Sequence, residues 1–169
     1  VQVGDRVKKG QVLLTDKKNP GINYTSPASG EVIEINRGAK RAFLSLVVKV
    51  DGAESIDFGA HAADAIPTLA RETVETKLID SGEWTALRTR PFSKVPAKGS
   101  TPHSIFVTAT DSRPHAPDPN VVINAEKEAF SAGVAAMSRL TDGSVFVCMN
   151  AMGAFESSIP TVKVERFEG

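Results

Sequence analysis

Alternating apolar and polar positions fill the first fifty residues, and turn residues cut them into short runs. Gln11 to Leu14, Gly30 to Ile35 and Phe43 to Val50 read as strands. Asn19-Pro20-Gly21, Ser26-Pro27 and Asn36-Arg37-Gly38 separate them. Val3-Gly4-Asp5-Arg6-Val7 reads as a turn already lying between strands. Val3 to Gly10 and Ile35 to Arg41 are loosely alike, each a turn with basic residues flanked by strand residues. This part is expected to be a small all-β unit.

The period then changes. Asp51 to Ala65 has no clear repeat and reads as a connection. Pro67 to Asp80 brings Leu69, Val74, Leu78 and Ile79 to one helical face, and Gly82 supplies the C-terminal stop. Glu83 to Thr101 holds Pro91 and Pro96, four basic residues and little periodicity, so a loop is expected. Ser104 to Thr110 is nearly apolar on both faces, the pattern of a strand inside a covered parallel sheet. Asp118-Pro119 reads as an N-cap with proline in the first turn of a long helix. Phe130, Gly133, Val134, Met137 and Leu140 continue that helix to Asp142-Gly143. Ser144 to Met149 follows as a buried strand, and Val162 to Phe167 alternates like another. Strand, long helix and strand with short joints form a βαβ unit with parallel strands and a right-handed crossover. The expected organisation is a β unit over 1–50, a connection with helix and loop over 51–103, and an α/β domain over 104–169.

Charge narrows the function classes. Twenty basic residues balance twenty acidic ones, so no net field gathers nucleic acid or anionic lipid, and no nucleic-acid partner is expected. No apolar run approaches the ~20 residues that span a bilayer. Cys148, the single cysteine, excludes an internal disulfide, a zinc-finger set and an iron–sulfur cluster, and fits a reducing compartment. The start at Val1 and the stop soon after a strand-like run lead us to expect a piece of a longer chain, with functional residues elsewhere.

Individual residues offer little chemistry of their own. His61, His103 and His115 lie in separate loop-like segments without ligand spacing, so surface imidazoles rather than a metal site are expected. Asp111-Ser112-Arg113-Pro114 follows the carboxyl end of a strand, where doubly wound folds bind ligands, but turn formation explains it as simply. Asp118 is accounted for as an N-cap, and Cys148 as a small inert hydrophobe in a buried strand. No Ser–His–Asp or Cys–His arrangement is supported, and no catalytic residue is assigned.

Gly4-Asp5-x-Val7-x-Lys9-Gly10-Gln11-x-Leu13, with Ser26-Pro27-Ala28-Ser29-Gly30-Glu31-Val32, resembles the hammerhead or barrel-sandwich hybrid of biotinyl and lipoyl domains. Those domains carry their modified lysine eight residues before the proline of this element. Here that place holds Asn19, beside Lys18 and Pro20, so Lys17 and Lys18 are expected to be solvated turn charges without biotin or lipoate. Asp16 to Gly21, Pro27 to Gly30, Ile35 to Gly38 and above all Trp84 to Pro96 together resemble a longer pattern. It is that of the A-subunit (NqrA) family of bacterial sodium-translocating NADH:quinone oxidoreductases. The resemblance covers essentially the whole chain and less than half of the family's length. It implies a hammerhead followed by a Rossmann-like α/β domain, in a peripheral subunit on the cytoplasmic side of the inner membrane. Its implied partners are the other subunits of the complex, especially the neighbouring membrane subunit, with ubiquinone as substrate. NADH, flavins, an iron–sulfur centre and Na+ would be handled by other subunits.

More distant relatives are the C subunit of Rnf complexes and the flavin-binding subunit of respiratory complex I. These carry a glycine-rich loop for FMN and NADH after the first helix. Ser81-Gly82-Glu83-Trp84-Thr85-Ala86-Leu87-Arg88 has one glycine there, so bulky side chains fill the space a phosphate would need. No cofactor is expected on this chain. A quinone head needs donors for two carbonyls and flat or apolar walls for its ring. Trp84, Arg88, Thr89, Arg90, Phe92, Ser93 and Lys94 offer that mixture and are the candidate quinone-binding residues. The alternative is that the basic residues pair with acids or with a neighbouring subunit while Trp84 and Phe92 anchor the loop in the core, in a purely structural docking module.

Overall fold

In the computed structural model, which describes residues 1–168, the alternating first part forms five strands. They are β1 (Arg6–Val7), β2 (Val12–Thr15), β3 (Asn23–Thr25), β4 (Gly30–Arg37) and β5 (Phe43–Val50). β4 lies between β1 and β5 in one antiparallel sheet, and β2 pairs with β3 in a second. Gly30, at φ +155°, lets β4 and β5 close: a side chain there would run into the carbonyl of Lys49. Register shifts after Val32 and Asn36 bend the β4–β5 ladder. Val7, Ile22 and Val32 are buried in this small core.

The chain divides into two units, one made of Val1–Ala60 with Glu75–Ser100, the other of His61–Val74 with Thr101 onward. Segment 51–103 is thus shared between them. Helix α1 covers Arg71–Ser81. The expected start at Pro67 is corrected: Ile66–Thr68 form a 3-10 turn and Leu69 is extended (φ −62°, ψ 146°), so Leu69 leaves the helical face. Proline suits the first turn of either helix type, but extended Leu69 breaks the hydrogen-bonded run. The expected stop holds, with Gly82 at φ +87° and its N–H donating to the Ile79 carbonyl at 3.2 Å.

In the second unit β6 (Ile105–Ala109), β7 (Val145–Asn150) and β8 (Val162–Phe167) form a parallel sheet in that order. The expected single long helix is corrected to two, α2 (Pro119–Ala125) and α3 (Lys127–Ser138). Glu126 departs from helical geometry at φ −120°, ψ 41°. The short helix before it is rich in β-branched Val121, Val122 and Ile123, which hold a helix poorly. Asp118 caps α2 as expected, accepting the Asn120 N–H at 3.0 Å. Ala109, Val145, Val147, Met149 and Val162 face Ile123 and Val134 of the helices and Phe155 of the β7–β8 connection. Cover on both sides of β6 is also corrected: Phe106, stacked on Phe146 with ring centroids 5.1 Å apart, is 65% exposed. Cys148 lies on the same side, half-buried rather than enclosed.

Candidate functional site

Trp84 to Pro96 splits into a buried base and an exposed tip. At the base, a 3-10 turn over Glu83–Ala86 follows Gly82 and turns Trp84 inward until it is 2% exposed. Its indole N–H donates to the Pro96 carbonyl at 2.9 Å. Asn19 grips the same strand of the loop, its amide donating to the carbonyls of Val95 (3.1 Å) and Pro96 (3.2 Å). Beyond them Gly99 donates its N–H to the buried Glu75 carboxylate at 2.5 Å. The carbonyls of Val95 and Pro96 belong to no strand or helix ladder, and neighbouring side chains supply their donors.

The tip is closed by its own backbone. Thr89 donates its N–H to the Lys94 carbonyl and Ser93 to the Thr89 carbonyl, each at 2.8 Å. The Thr89 hydroxyl donates to Lys94 O at 3.1 Å and accepts the Lys94 N–H at 3.3 Å. Ser93 takes φ +51° in this tight turn. The Arg88 guanidinium folds onto the carbonyls of Leu87, at 2.7 Å, and Thr85. Arg90 is exposed, and Phe92 at the crest is 78% exposed, with the Lys94 ammonium 6.0 Å from its ring centroid.

Of the seven candidate residues, then, Arg88, Thr89, Arg90, Phe92, Ser93 and Lys94 lie together on the exposed tip. Trp84 does not join them: it anchors the base and offers no face to a ligand. No candidate lines the nearby open cleft of about 720 Å³, whose walls include Lys9, Thr25, Ile56, Phe58, Gly82 and Glu83. The role of Asn19 was not legible, because it reaches carbonyls more than seventy residues away and only the folded chain brings them together. Its neighbours Lys17 and Lys18 are exposed.

Elsewhere the polar residues serve the local fold. The Arg113 guanidinium, hydrogen-bonded to Asp111 at 2.5 to 3.1 Å, holds that carboxylate down to about 2 from its usual 3.8. Asn120 joins Asp118 to Asn150 by amide hydrogen bonds of 2.9 Å. His103 contacts the Ser104 hydroxyl at 3.0 Å, and His61 and His115 are exposed. Partial burial, then the Glu165 charge, pushes the Cys148 thiol up, away from the reactive thiolate. Among the described residues no three His, Cys, Asp or Glu side chains gather to hold a metal, and no helix is long and apolar enough to cross a membrane.

Two family models match. The NqrA N-terminal barrel-sandwich hybrid domain matches residues 1–51, and the NqrA second alpha/beta domain matches residues 69–169. Among curated relatives, the A subunit of the Na(+)-translocating NADH-quinone reductase of Vibrio atlanticus (strain LGP32) is 53% identical over 168 residues, 99% of this chain and 38% of its own. The corresponding protein of Vibrio anguillarum is 53% identical and that of Marinomonas sp. (strain MWYL1) 52%, each over all of this chain and 38% of its own. The chain therefore spans 38% of the length of these relatives.

Proposed function

We propose a function from the premise that this chain belongs to the NqrA family, the A subunits of Na(+)-translocating NADH-quinone reductases. It is a peripheral piece of that complex, on the cytoplasmic side of the inner membrane. The Arg88–Lys94 tip docks on the neighbouring membrane subunit, where it contributes one edge of a ubiquinone site that the neighbour completes. NADH, flavins, the iron–sulfur centre and Na+ belong to other subunits, and the α/β domain is Rossmann-like in architecture without holding a nucleotide.

The observation that carries this reading is the exposure of Phe92 at the crest of a loop whose base is fixed by Trp84 and Asn19. An aromatic side chain flanked by cations is the composition of an interface anchor. A loop already closed by its own hydrogen bonds loses little entropy when a partner covers it. The tip is too open to surround a quinone alone, since small-molecule sites are concave. Arg90 and Phe92 therefore act where a partner supplies the remaining walls.

The test is Arg90→Ala and Phe92→Ala in the assembled complex. The expected result is a raised quinone KM and weaker quinone-site inhibition, with unchanged melting of the subunit and unchanged electron flow from NADH to an artificial acceptor. Unchanged quinone kinetics in well-folded variants of both residues would leave a docking module with no ligand of its own.

A further inference from the structure

The base of the Trp84–Pro96 loop also gathers positive charge. In a chain whose twenty basic residues balance twenty acidic ones, residues 16–21 and 88–98 together hold six of the basic residues and one acid, Asp16. Both segments belong to the first unit. The β2–β3 turn is closed by its own backbone: Asp16 donates its N–H to the Ile22 carbonyl at 3.2 Å, and Ile22 donates its own to the Asn19 carbonyl at 3.3 Å. Asn19 then ties this turn to Val95 and Pro96. The stem of Lys98 completes the join by lying over Gly21, where an added Cβ would stand 3.4 Å from the Lys98 Cδ. Lys17, Lys18 and Lys98 therefore form a shelf beside the base of the tip, and all three are exposed.

The shelf keeps its charge. Among the described residues none of the three lysines makes an ion pair. Asp16, the acid of the same turn, directs its carboxylate to the Lys18 backbone N–H at 2.8 Å. Like charges held side by side repel, and an anionic partner relieves that repulsion. The residue type narrows the partner. A lysine ammonium is a hydrated point charge on a flexible stem, without the fork that pairs with a single fixed carboxylate. It suits a diffuse anionic layer, toward which long stems reach while their charged ends stay in water. Attraction of this kind acts within a Debye length, about 8 Å in physiological salt, so a chain of zero net charge can exert it locally.

We propose that Lys17, Lys18 and Lys98 dock on the anionic phospholipid headgroups of the bilayer beside the neighbouring membrane subunit. This rests on the reading that the tip faces that subunit, which brings the shelf at its base toward the bilayer surface. Tip and shelf are then two separate contacts, one on protein and one on lipid. Because Asn19 joins them rigidly, the lipid contact fixes the orientation in which the tip meets its partner. Each lysine near an anionic surface strengthens the attraction ~5-fold.

The experiment measures co-sedimentation of the full-length subunit, purified alone, with vesicles of phosphatidylcholine or of phosphatidylcholine containing about one-third phosphatidylglycerol. The expected result is partitioning onto the anionic vesicles at least ~10-fold above the neutral ones, weakening as salt is raised. Replacing the shelf lysines together, Lys17→Gln, Lys18→Gln and Lys98→Gln, should lower that partitioning at least ~10-fold and leave the melting temperature unchanged. Equal binding to both vesicles would overturn the proposal, as would anionic binding that the triple variant retains. Loss of binding by the triple variant to the lipid-free membrane subunit, but not to the vesicles, would assign the lysines to a protein surface and overturn it too. No membrane subunit is present in the vesicle arm, whereas docking through the tip is read from quinone kinetics in the complex, so the two readings fail separately.

Discussion

Trp84 and Phe92 stand eight residues apart in one proline-bearing segment, yet one is 2% and the other 78% exposed. Both are aromatic, and both belong to a segment that carries basic residues. The difference arises from what the backbone between them must satisfy. Around Trp84 the carbonyls of Val95 and Pro96 need donors, and the indole and the Asn19 amide provide them. Around Phe92 the turn satisfies itself through Thr89 and Lys94, so no side chain is drawn inward. Composition marks such a segment as interesting; hydrogen-bond accounting divides it into a structural base and an available tip.

The largest expected effect that tests this division is at the base. Trp84→Ala should cost about 3–5 kcal/mol in urea unfolding of the subunit, as for other fully buried aromatics. Trp84→Phe should cost less, about 1 kcal/mol plus repacking, because Asn19 still donates to the Pro96 carbonyl. If Trp84→Ala melts like the parent, the base is not an anchor. Asn19→Ala comes next, at about 1–2 kcal/mol, since Val95 loses the donor it receives from this side chain. Amide exchange across residues 93–99 should quicken in the same variant. The smallest effect belongs to the tip: Phe92→Ala should move stability by no more than about 0.5 kcal/mol. A loss comparable to that of Asn19→Ala would merge tip and base into one packed unit.

Periodicity was informative where one element occupies the whole patterned run. Phe43–Val50 and Val162–Phe167 are strands over the full runs the sequence marks, Asp118 begins a helix through its carboxylate, and Gly82 ends one through its left-handed backbone. It failed where the local pattern has two solutions. Leu69 fits a helical face by spacing, but the chain is extended there after a 3-10 turn. The run through Leu140 fits one helix by spacing, but Glu126 divides it. Apolar residues on both sides of Ile105–Ala109 fit a strand covered on both faces, but Phe106 is 65% exposed. Six of the seven candidate residues share one surface simply because they are close in the chain and the turn between them is tight. Assigning Trp84 required knowing that Pro96 returns beside it, a tertiary contact without a local signature.

The most direct measurement asks whether assembly covers the tip. Phe92→Cys in the full-length subunit, labelled by a small maleimide and read at that peptide, reports exposure of position 92 before and after incorporation into the complex. Labelling is expected to be fast in the isolated subunit, as for a residue 78% exposed, and to slow by at least ~10-fold in the complex. Equal rates in the two states would contradict docking through the tip.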